Sequence, residues 1–210
     1  MDSTPVIQEA VRVLREGGVI LYPTDTVWGI GCDATNEKAV ARVFEIKRRS
    51  EAKSLVLLAC DLDMVAKYIR QIPSIAIDLV EVNDAPMTII YPGAQYLAPN
   101  AVAADGSVGI RIPVVEEEPE QEGPRRAVPK GGLTSGAFCR ELVRRLRRPL
   151  VSTSANISGE PTPASFAEIS EEIKAAVDYV VPKPFGAGAT GRSSQIIKLG
   201  LGGEVEILRP

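Results

Sequence analysis

The sequence predicts an α/β fold, a single domain built on one twisted, mixed β-sheet that is flanked by helices. Two observations predict this class. Short apolar runs with strand character alternate with amphipathic helical patterns along the chain. In addition, a chain of 210 residues with 45% apolar content can bury one substantial core. We therefore expect residues 1–210 to form one domain.

The first half of the chain alternates clearly between the two patterns. Ser3 and Thr4 precede Pro5, which suits the first turn of a helix, and Gly17 would end that helix. Asn36 is a favourable N-cap for a second helix. The further elements predicted here are a strand at 19–22, a strand at 54–60, helices near 62–69 and 75–82, and strands at 87–91 and 107–112.

The second half is interrupted by an irregular segment at 114–136. This segment holds five glutamates and three prolines and lacks apolar periodicity, so we expect an acidic, Pro/Gly-rich surface insertion. A mobile lid and a partner-binding loop are the alternatives. The elements predicted after it are a helix at 138–148, a strand at 150–152, a helix near 166–177, and strands near 179–181, 195–199 and 205–208.

The composition excludes several kinds of chemistry. The chain has no histidine, so it cannot form a Ser-His-Asp triad or a Cys-His pair. Its three cysteines lie far apart without a C-x-x-C pair, which argues against a zinc site and favours a reduced, cytoplasmic protein. We find no export signal and no apolar run long enough to span a membrane. The net charge of −3 argues against indiscriminate binding to nucleic acid.

The stretch GAGATGRS at 186–193 satisfies the pattern G-x-G-x-x-G and approaches the P-loop pattern. Both motifs require the glycines to open a helix whose amide groups face phosphates. The residues that follow, Ser194 to Leu199, alternate like a strand instead. We therefore predict a loop that presents Arg192 and Ser194 rather than a nucleotide-binding motif.

Basic residues cluster at the end of the second predicted helix. Lys47, Arg48 and Arg49 are followed by Lys53, which gives four cations within seven residues just before a buried strand. Loops at such strand ends often bind phosphates. The alternative is a solvated cluster that the helix dipole stabilises.

The stretch VSTSANISG at 151–159 places hydroxyl and amide side chains directly after an apolar strand. Ser152, Thr153, Ser154 and Asn156 fall within five residues. A turn whose side chains bond their own backbone would account for one or two of them. Ligands commonly bind at the carboxyl ends of strands in such sheets, so a binding role is the second interpretation.

The predicted helix at 138–148 carries a basic face. Arg140, Arg144, Arg147 and Arg148 fall on one side at helical spacing. An ordinary solvated face explains this pattern, and contact with nucleic acid is the alternative.

Several of these stretches together resemble the YrdC-like family of threonylcarbamoyl-adenylate synthases. The resemblance is carried, in order, by YPTDTVWGIGCDA at 22–34, KRR at 47–49 as the family's Lys-x-Arg, SVGIRIP at 107–113, STSANISG at 152–159 as its Ser-x-Asn, and SSQIIKL at 193–199. It covers nearly the whole chain apart from the acidic insertion.

The resemblance implies a YrdC-like fold with a concave, basic groove, and a nucleotidyl transfer reaction. Threonine, bicarbonate and ATP would give threonylcarbamoyl-adenylate and pyrophosphate, with magnesium accompanying ATP and no metal cage in the protein. It implies catalytic roles for Lys47 and Arg49. The implied ATP contacts are Lys47, Arg49, Lys53, Thr88, Ser154, Asn156 and Arg209, and the implied threonine contacts are Thr24, Thr26, Arg111, Ser152 and Ser194.

The resemblance also implies partners and leaves alternatives. A downstream tRNA threonylcarbamoyl transferase complex would take the product, tRNA itself is a candidate contact, and no membrane is expected. The alternatives are a non-catalytic RNA-binding module of the same fold and a domain that adenylates carbamate for another acceptor. The chain departs from the family pattern at Ser50, Ser54 and Gln195 and in NDAPMT at 83–88.

Overall fold

The computed structural model describes residues 3–50, 55–115, 133–186 and 188–210. We number the helices and strands of these ranges in chain order. The helices are α1 (Thr4–Arg15), α2 (Glu37–Ile46), α3 (Leu62–Tyr68), α4 (Ser74–Val82), α5 (Ser135–Leu146) and α6 (Glu171–Ala176). The strands are β1 (Ile20–Tyr22), β2 (Gly29–Gly31), β3 (Val56–Leu58), β4 (Met87–Tyr91), β5 (Val108–Arg111), β6 (Leu150–Ser154), β7 (Tyr179–Val180), β8 (Gln195–Leu199) and β9 (Val205–Arg209).

All nine strands belong to one sheet, in the order β7-β1-β2-β6-β3-β5-β4-β8-β9. The pairs β1–β7, β3–β5 and β4–β8 run parallel, whereas the other neighbours run antiparallel. The predicted mixed sheet with flanking helices is therefore confirmed. Because β6 lies in the middle of the sheet between β2 and β3, the residues that follow it emerge at the centre of the molecule.

Signals in the sequence predicted the ends of most helices to within a few residues. α1 begins beside Pro5 and ends before Gly17, and the side chain of Asn36 accepts a hydrogen bond from the Ala39 amide at the start of α2. α1 and α5 pack against the sheet through one hydrophobic core. Ile7 and Leu14 of α1 are fully buried, as are apolar side chains of α5.

Four predictions were wrong in detail. Strand β2 had not been predicted, because two of its three residues are glycines, which have little strand propensity. The helix predicted at 166–177 is broken into a 3₁₀ turn and α6, because Ser170 caps a new helix by accepting from the Ile173 amide. α5 starts at Ser135, inside the range assigned to the insertion. Arg147 ends it with a left-handed backbone (φ 61°), so Arg147 and Arg148 lie beyond the helix.

The remainder of the predicted insertion, 116–132, lies outside the described residues. Within the described ranges, no helix is long and apolar enough to cross a membrane.

Candidate functional site

One face of the central strands carries four of the predicted site residues, and we call it the polar face. Ser152 of β6 lies opposite Val56 of β3, and Leu58 lies opposite Arg111 of β5, which in turn lies opposite Thr88 of β4. Side chains of directly opposed residues point to the same side of a sheet. The polar face is defined by Gly29, Thr88, Gly109, Arg111, Ser152 and Ser154.

Glycines leave room on the polar face. A Cβ atom added to Gly29 would lie 3.6 Å from Ser152 Oγ and 3.4 Å from the Thr24 methyl group. A Cβ atom at Gly109 would lie 3.3 Å from the Thr88 methyl group. The Ser152 hydroxyl and the methyl groups of Thr24 and Thr88 therefore lie over positions where the sheet has no side chain of its own.

The loop after β1 contributes two further hydroxyls. Thr24 Oγ1 and Thr26 Oγ1 lie 2.8 Å apart, and Thr24 Oγ1 also accepts from the amides of Thr26 and Val27. Both threonines are at most 4% exposed. The amide of Gly191 donates to the Thr26 carbonyl at 2.8 Å, so the loop that contains GAGATGRS packs against this segment.

That glycine-rich loop does not open a helix. Gly191 has φ 71°, and β8 begins shortly afterwards at Gln195. The prediction of a loop is confirmed for residues 188–193, whereas Gly186 ends a 3₁₀ turn. Arg192 is exposed on it, whereas Ser194 is buried.

Arg111 is buried on the polar face and forms an ion pair with Asp25. Their side chains are 4% and 5% exposed. Burial lowers the pKa of Arg111, since a charged guanidinium loses hydration there. Asp25 also accepts a hydrogen bond of 3.1 Å from the Val114 amide. The sequence had assigned no role to Asp25, although a buried arginine requires a carboxylate or another acceptor nearby.

Thr88, Ser194 and Arg209 form a second contact group beside Arg111. Thr88 Oγ1 lies 2.8 Å from Ser194 Oγ, and Arg209 Nε donates to the Ser194 carbonyl at 2.8 Å. Because Thr88 is the cross-strand neighbour of Arg111, this group continues the polar face toward β8 and β9. The structure thus brings Thr88 and Arg209, which the sequence assigned to ATP, into contact with Ser194, which it assigned to threonine.

Lys47 holds the turn that follows β6. Its ammonium group donates to the carbonyls of Ser154 at 2.5 Å and Asn156 at 2.7 Å, and the Ser158 amide donates to the Lys47 carbonyl. The Asn156 amide nitrogen donates to the Glu160 carbonyl at 2.7 Å. Burial, and secondarily the charge of Arg49, lower the pKa of Lys47 to about 8.

The other basic residues of this region differ in position. Arg49 is partly buried, and that burial lowers its pKa. Arg48 has a left-handed backbone (φ 49°), and its exposed side chain pairs with Glu172 at 2.5 Å. Lys53 lies outside the described residues.

The arginines of α5 and its C-terminal end are largely engaged within the protein. Arg140 donates to the Cys60 carbonyl, Arg144 pairs with Glu141, and Arg148 pairs with the buried carboxylate of Asp33 at 2.6 Å. Ion pairs of this kind reduce the charge that remains for a nucleic-acid backbone.

Two cavities lie near the sheet within the described part of the chain. A cavity of about 60 Å³ lies against Asp25, Thr134 and Thr190. A wider hollow of about 440 Å³ lies against Met87, Ile89 and other side chains of the opposite sheet face. The concave basic groove stays a prediction. No group of three or more His, Cys, Asp or Glu side chains that could hold a metal ion occurs within the described ranges.

Chemically, the site combines hydroxyl groups and guanidinium groups with a turn held by a buried amine. Hydroxyls can bind and orient a small polar substrate, and a guanidinium can bind a carboxylate or phosphate by paired hydrogen bonds. A single strand, β6, links the two parts because Ser152 and Ser154 lie two residues apart on the polar face.

Comparisons with known proteins agree on one family. The family model Sua5/YciO/YrdC, described as "Telomere recombination", matches residues 12–116 and 132–210. A curated threonylcarbamoyl-AMP synthase from Xanthomonas campestris pv. campestris (strain B100) is 31% identical over 204 residues, covering 94% of this chain and 100% of the relative.

Solved structures show the same fold. A variant of Sua5 from P. abyssi superposes with a TM-score of 0.80 at 24% identity, covering 100% of this chain and 57% of that chain. P. abyssi Sua5 in complex with L-threonine gives a TM-score of 0.74 at 25% identity, covering 92% of this chain and 50% of that chain. This chain therefore spans about half the length of those two proteins.

Proposed function

The chain belongs to the Sua5/YciO/YrdC family, and from this premise we propose that it is a nucleotidyltransferase that makes L-threonylcarbamoyl-AMP. Its substrates are L-threonine, bicarbonate and ATP, and its second product is pyrophosphate. This reaction supplies the activated group for threonylcarbamoyladenosine in tRNA. The product then passes to a tRNA threonylcarbamoyl transferase complex in the cytoplasm.

The observation that carries the proposal is the arrangement along β6. Ser152 lies beside Thr24 across Gly29, and on the same face Ser154 leads into the turn that Lys47 holds. A site for a hydroxy amino acid therefore adjoins a site with cationic groups. This proximity suits a reaction in which a substrate derived from threonine attacks a phosphate.

In the proposed reaction, the ammonium group of threonine first loses a proton, and the resulting amine forms a bond to the carbon of bicarbonate while water leaves. A carbamate oxygen then attacks the α-phosphorus of ATP, and the bond to pyrophosphate breaks. Arg111 binds the threonine carboxylate, and Thr24, Thr26, Ser152 and Ser194 orient the substrate. Holding the reactants together removes much of the entropy cost of their encounter.

The ATP site comprises Lys47, Arg49, Ser154 and Asn156, with Thr88, Arg209 and Lys53 as further contacts. Charge develops on the phosphates as pyrophosphate leaves, and fixed cations stabilise that charge. The cations and hydroxyls of this site are poor ligands for magnesium. The metal would therefore arrive bound to ATP, whose phosphates it coordinates.

The test is pyrophosphate release from ATP by the wild-type protein. Release should require threonine and bicarbonate together, because the attacking oxygen exists only after the amine has been carboxylated. Equal release without threonine would contradict the proposal, and so would failure of threonine to bind in calorimetry.

Side-chain selectivity provides a second test of the same site. Threonine should bind more tightly than valine, because the threonine hydroxyl can hydrogen-bond to the buried hydroxyl groups of the site and the valine methyl group cannot. Serine should be rejected less strongly, since it differs from threonine by one methyl group. Equal affinities for threonine and valine would show that the pocket has been assigned wrongly.

A further inference from the structure

Asp25 has no role in the reaction as described above, although it lies between Thr24 and Thr26 in the sequence and its carboxylate forms a buried ion pair with Arg111. We propose that Asp25 is a specificity-determining residue for the charged amino group of the substrate. It makes the site favour an α-amino acid over the matching α-hydroxy acid. This inference rests on the proposed function, in which Arg111 binds the substrate carboxylate.

The position of Asp25 is fixed from several sides. One carboxylate oxygen contacts Arg111 and the other accepts from the Val114 amide. Its backbone carbonyl accepts from the Thr190 amide at 2.9 Å. Gly136 at the start of α5 approaches so closely that an added Cβ atom would lie 3.5 Å from Asp25 Cβ. A carboxylate held on this many sides cannot move away when a ligand arrives.

Asp25 lines a small cavity, and its partner Arg111 has a buried donor atom that is not hydrogen-bonded within the described ranges. The cavity of about 60 Å³ that Asp25 lines has the size of a small polar group. Arg111 Nε is buried and has no hydrogen-bond partner among the described residues. An unsatisfied buried donor is costly, and a substrate carboxylate would satisfy it. Asp84 also lines the cavity, but its side chain is exposed and solvent screens it.

The electrostatic argument depends on a comparison of two ligands. Threonine is a zwitterion at neutral pH, whereas 2,3-dihydroxybutanoate, in which a hydroxyl replaces the ammonium group, is a monoanion. The carboxylate interacts with Arg111 in both cases. The two ligands therefore differ in how the ammonium group interacts with nearby charges, and Asp25 is a buried negative charge beside Arg111.

The experiment measures the dissociation constants of both ligands by calorimetry for wild type and Asp25→Asn. Asparagine keeps the shape and can still accept from the Val114 amide, but it removes the charge. The ratio of the two constants should favour threonine in wild type and should fall at least tenfold in the variant. A ratio that does not change would overturn the proposal, even if both ligands bind more weakly.

Asp33→Asn is the matched control. Asp33 is also a buried carboxylate paired with an arginine, Arg148, but it lies outside the site. Its loss should lower stability without changing the ligand ratio. If Asp33→Asn shifts the ratio as much as Asp25→Asn does, the effect is a general consequence of removing a buried charge, and the proposal fails.

Two further variants keep the test decisive if Asp25→Asn does not fold. Asp25→Asn combined with Arg111→Gln removes one buried charge of each sign, which a fold tolerates better than one unpaired charge. The ratio should fall there as well, whereas Asp25→Glu should preserve it. Preserved selectivity in the double variant would overturn the proposal.

The two proposals fail in different ways. If wild type binds neither ligand and releases no pyrophosphate with threonine, the proposed function is wrong and the role of Asp25 falls with it. If wild type passes both tests but the ligand ratio is indifferent to Asp25, only the inference about Asp25 is wrong.

Discussion

At the scale of single residues, the site depends on charged groups that the fold holds away from water. Lys47 is 2% exposed, and its ammonium group is held by backbone carbonyls rather than by a carboxylate. Asn156 shares this arrangement, since its carbonyl accepts from Lys47. A residue that the motif assigns to ATP therefore also fixes the shape of the turn.

The lowered pKa of Lys47 predicts opposite effects of pH on stability and on activity. The folded-state pKa of about 8 lies below the usual value of 10.5. The unfolded chain therefore binds more protons between these values, and the free energy of unfolding should rise with pH there, relative to Lys47→Met. Over the same range, kcat/KM for ATP should fall, because the cation loses its charge. Denaturant titrations and initial rates from pH 7 to 10 test both trends. If Lys47→Arg shows the same pH profiles as wild type, the titrating group is not Lys47.

Arg49 provides a direct test of transition-state stabilisation. Arg49→Ala should lower turnover roughly a hundredfold or more, which corresponds to about 3 kcal/mol of lost stabilisation. The measurement is pyrophosphate release at saturating threonine and bicarbonate. Arg48→Ala is the control, because that side chain is exposed and pairs with Glu172. Wild-type rates in Arg49→Ala at subsaturating ATP would refute the catalytic assignment.

Thr26 should affect substrate binding rather than the chemical step. Thr26→Val keeps the size of the side chain but removes the hydroxyl that lies 2.8 Å from Thr24 Oγ1. We expect the KM for threonine to rise roughly tenfold while kcat changes little, the behaviour of a lost ground-state contact. Steady-state kinetics with threonine as the varied substrate measure this. A fall in kcat with an unchanged KM would place Thr26 in the chemical step instead.

At the scale of secondary structure, β2 shows why glycine is required inside a strand. A Cβ atom on Gly31 would lie 2.1 Å from the Val151 carbonyl oxygen and 2.8 Å from the ring of Tyr22. Backbone would have to move, so Gly31→Ala should cost about 3 kcal/mol of unfolding free energy. Gly106→Ala, where no atom lies within 4 Å but φ is 77°, should cost about 1 kcal/mol from backbone strain alone. Urea titrations compare the two, and equal losses would contradict the crowding argument.

Sequence patterns predicted the elements whose signals are local. β4 was predicted with its observed ends, and the cap at Asn36 placed the start of α2. β2 was missed because its place between two strands is set by pairing with distant residues rather than by its own propensity. The break at Ser170 was missed for a different reason, since an apolar pattern can continue across a new helix cap.

At the scale of the whole molecule, the motifs identified site residues that only the fold connects. Thr88 and Ser194 lie far apart in the sequence, but their hydroxyls are 2.8 Å apart. The motif that contains Arg111 could not reveal Asp25 as its partner, because that contact depends on how the loop after β1 crosses the sheet. Motifs in the sequence can therefore identify the residues of a site. Which charged residues pair with one another there depends on the topology of the fold.

The acidic insertion allows a test at this scale. Replacing residues 116–130 by a short glycine linker should leave the fold intact, because their composition lacks a core-facing pattern and the cost of loop closure changes little with loop length. A cooperative transition with an unchanged midpoint in thermal unfolding would support this. Loss of folded protein would mean that the segment contributes to the core.

The outer position of β9 bears on how the protein behaves in concentrated solution. This strand pairs with β8 on one side only among the described strands, and its apolar side chains Val205, Ile207 and Leu208 are 48%, 67% and 50% exposed. An open strand edge can pair with the same edge of another molecule. Glu204 and Glu206 oppose such pairing through like-charge repulsion, which dissolved salt screens beyond about 10 Å at 0.1 M. Self-association should therefore increase with ionic strength, and storage in dilute buffer should preserve monodisperse samples longest.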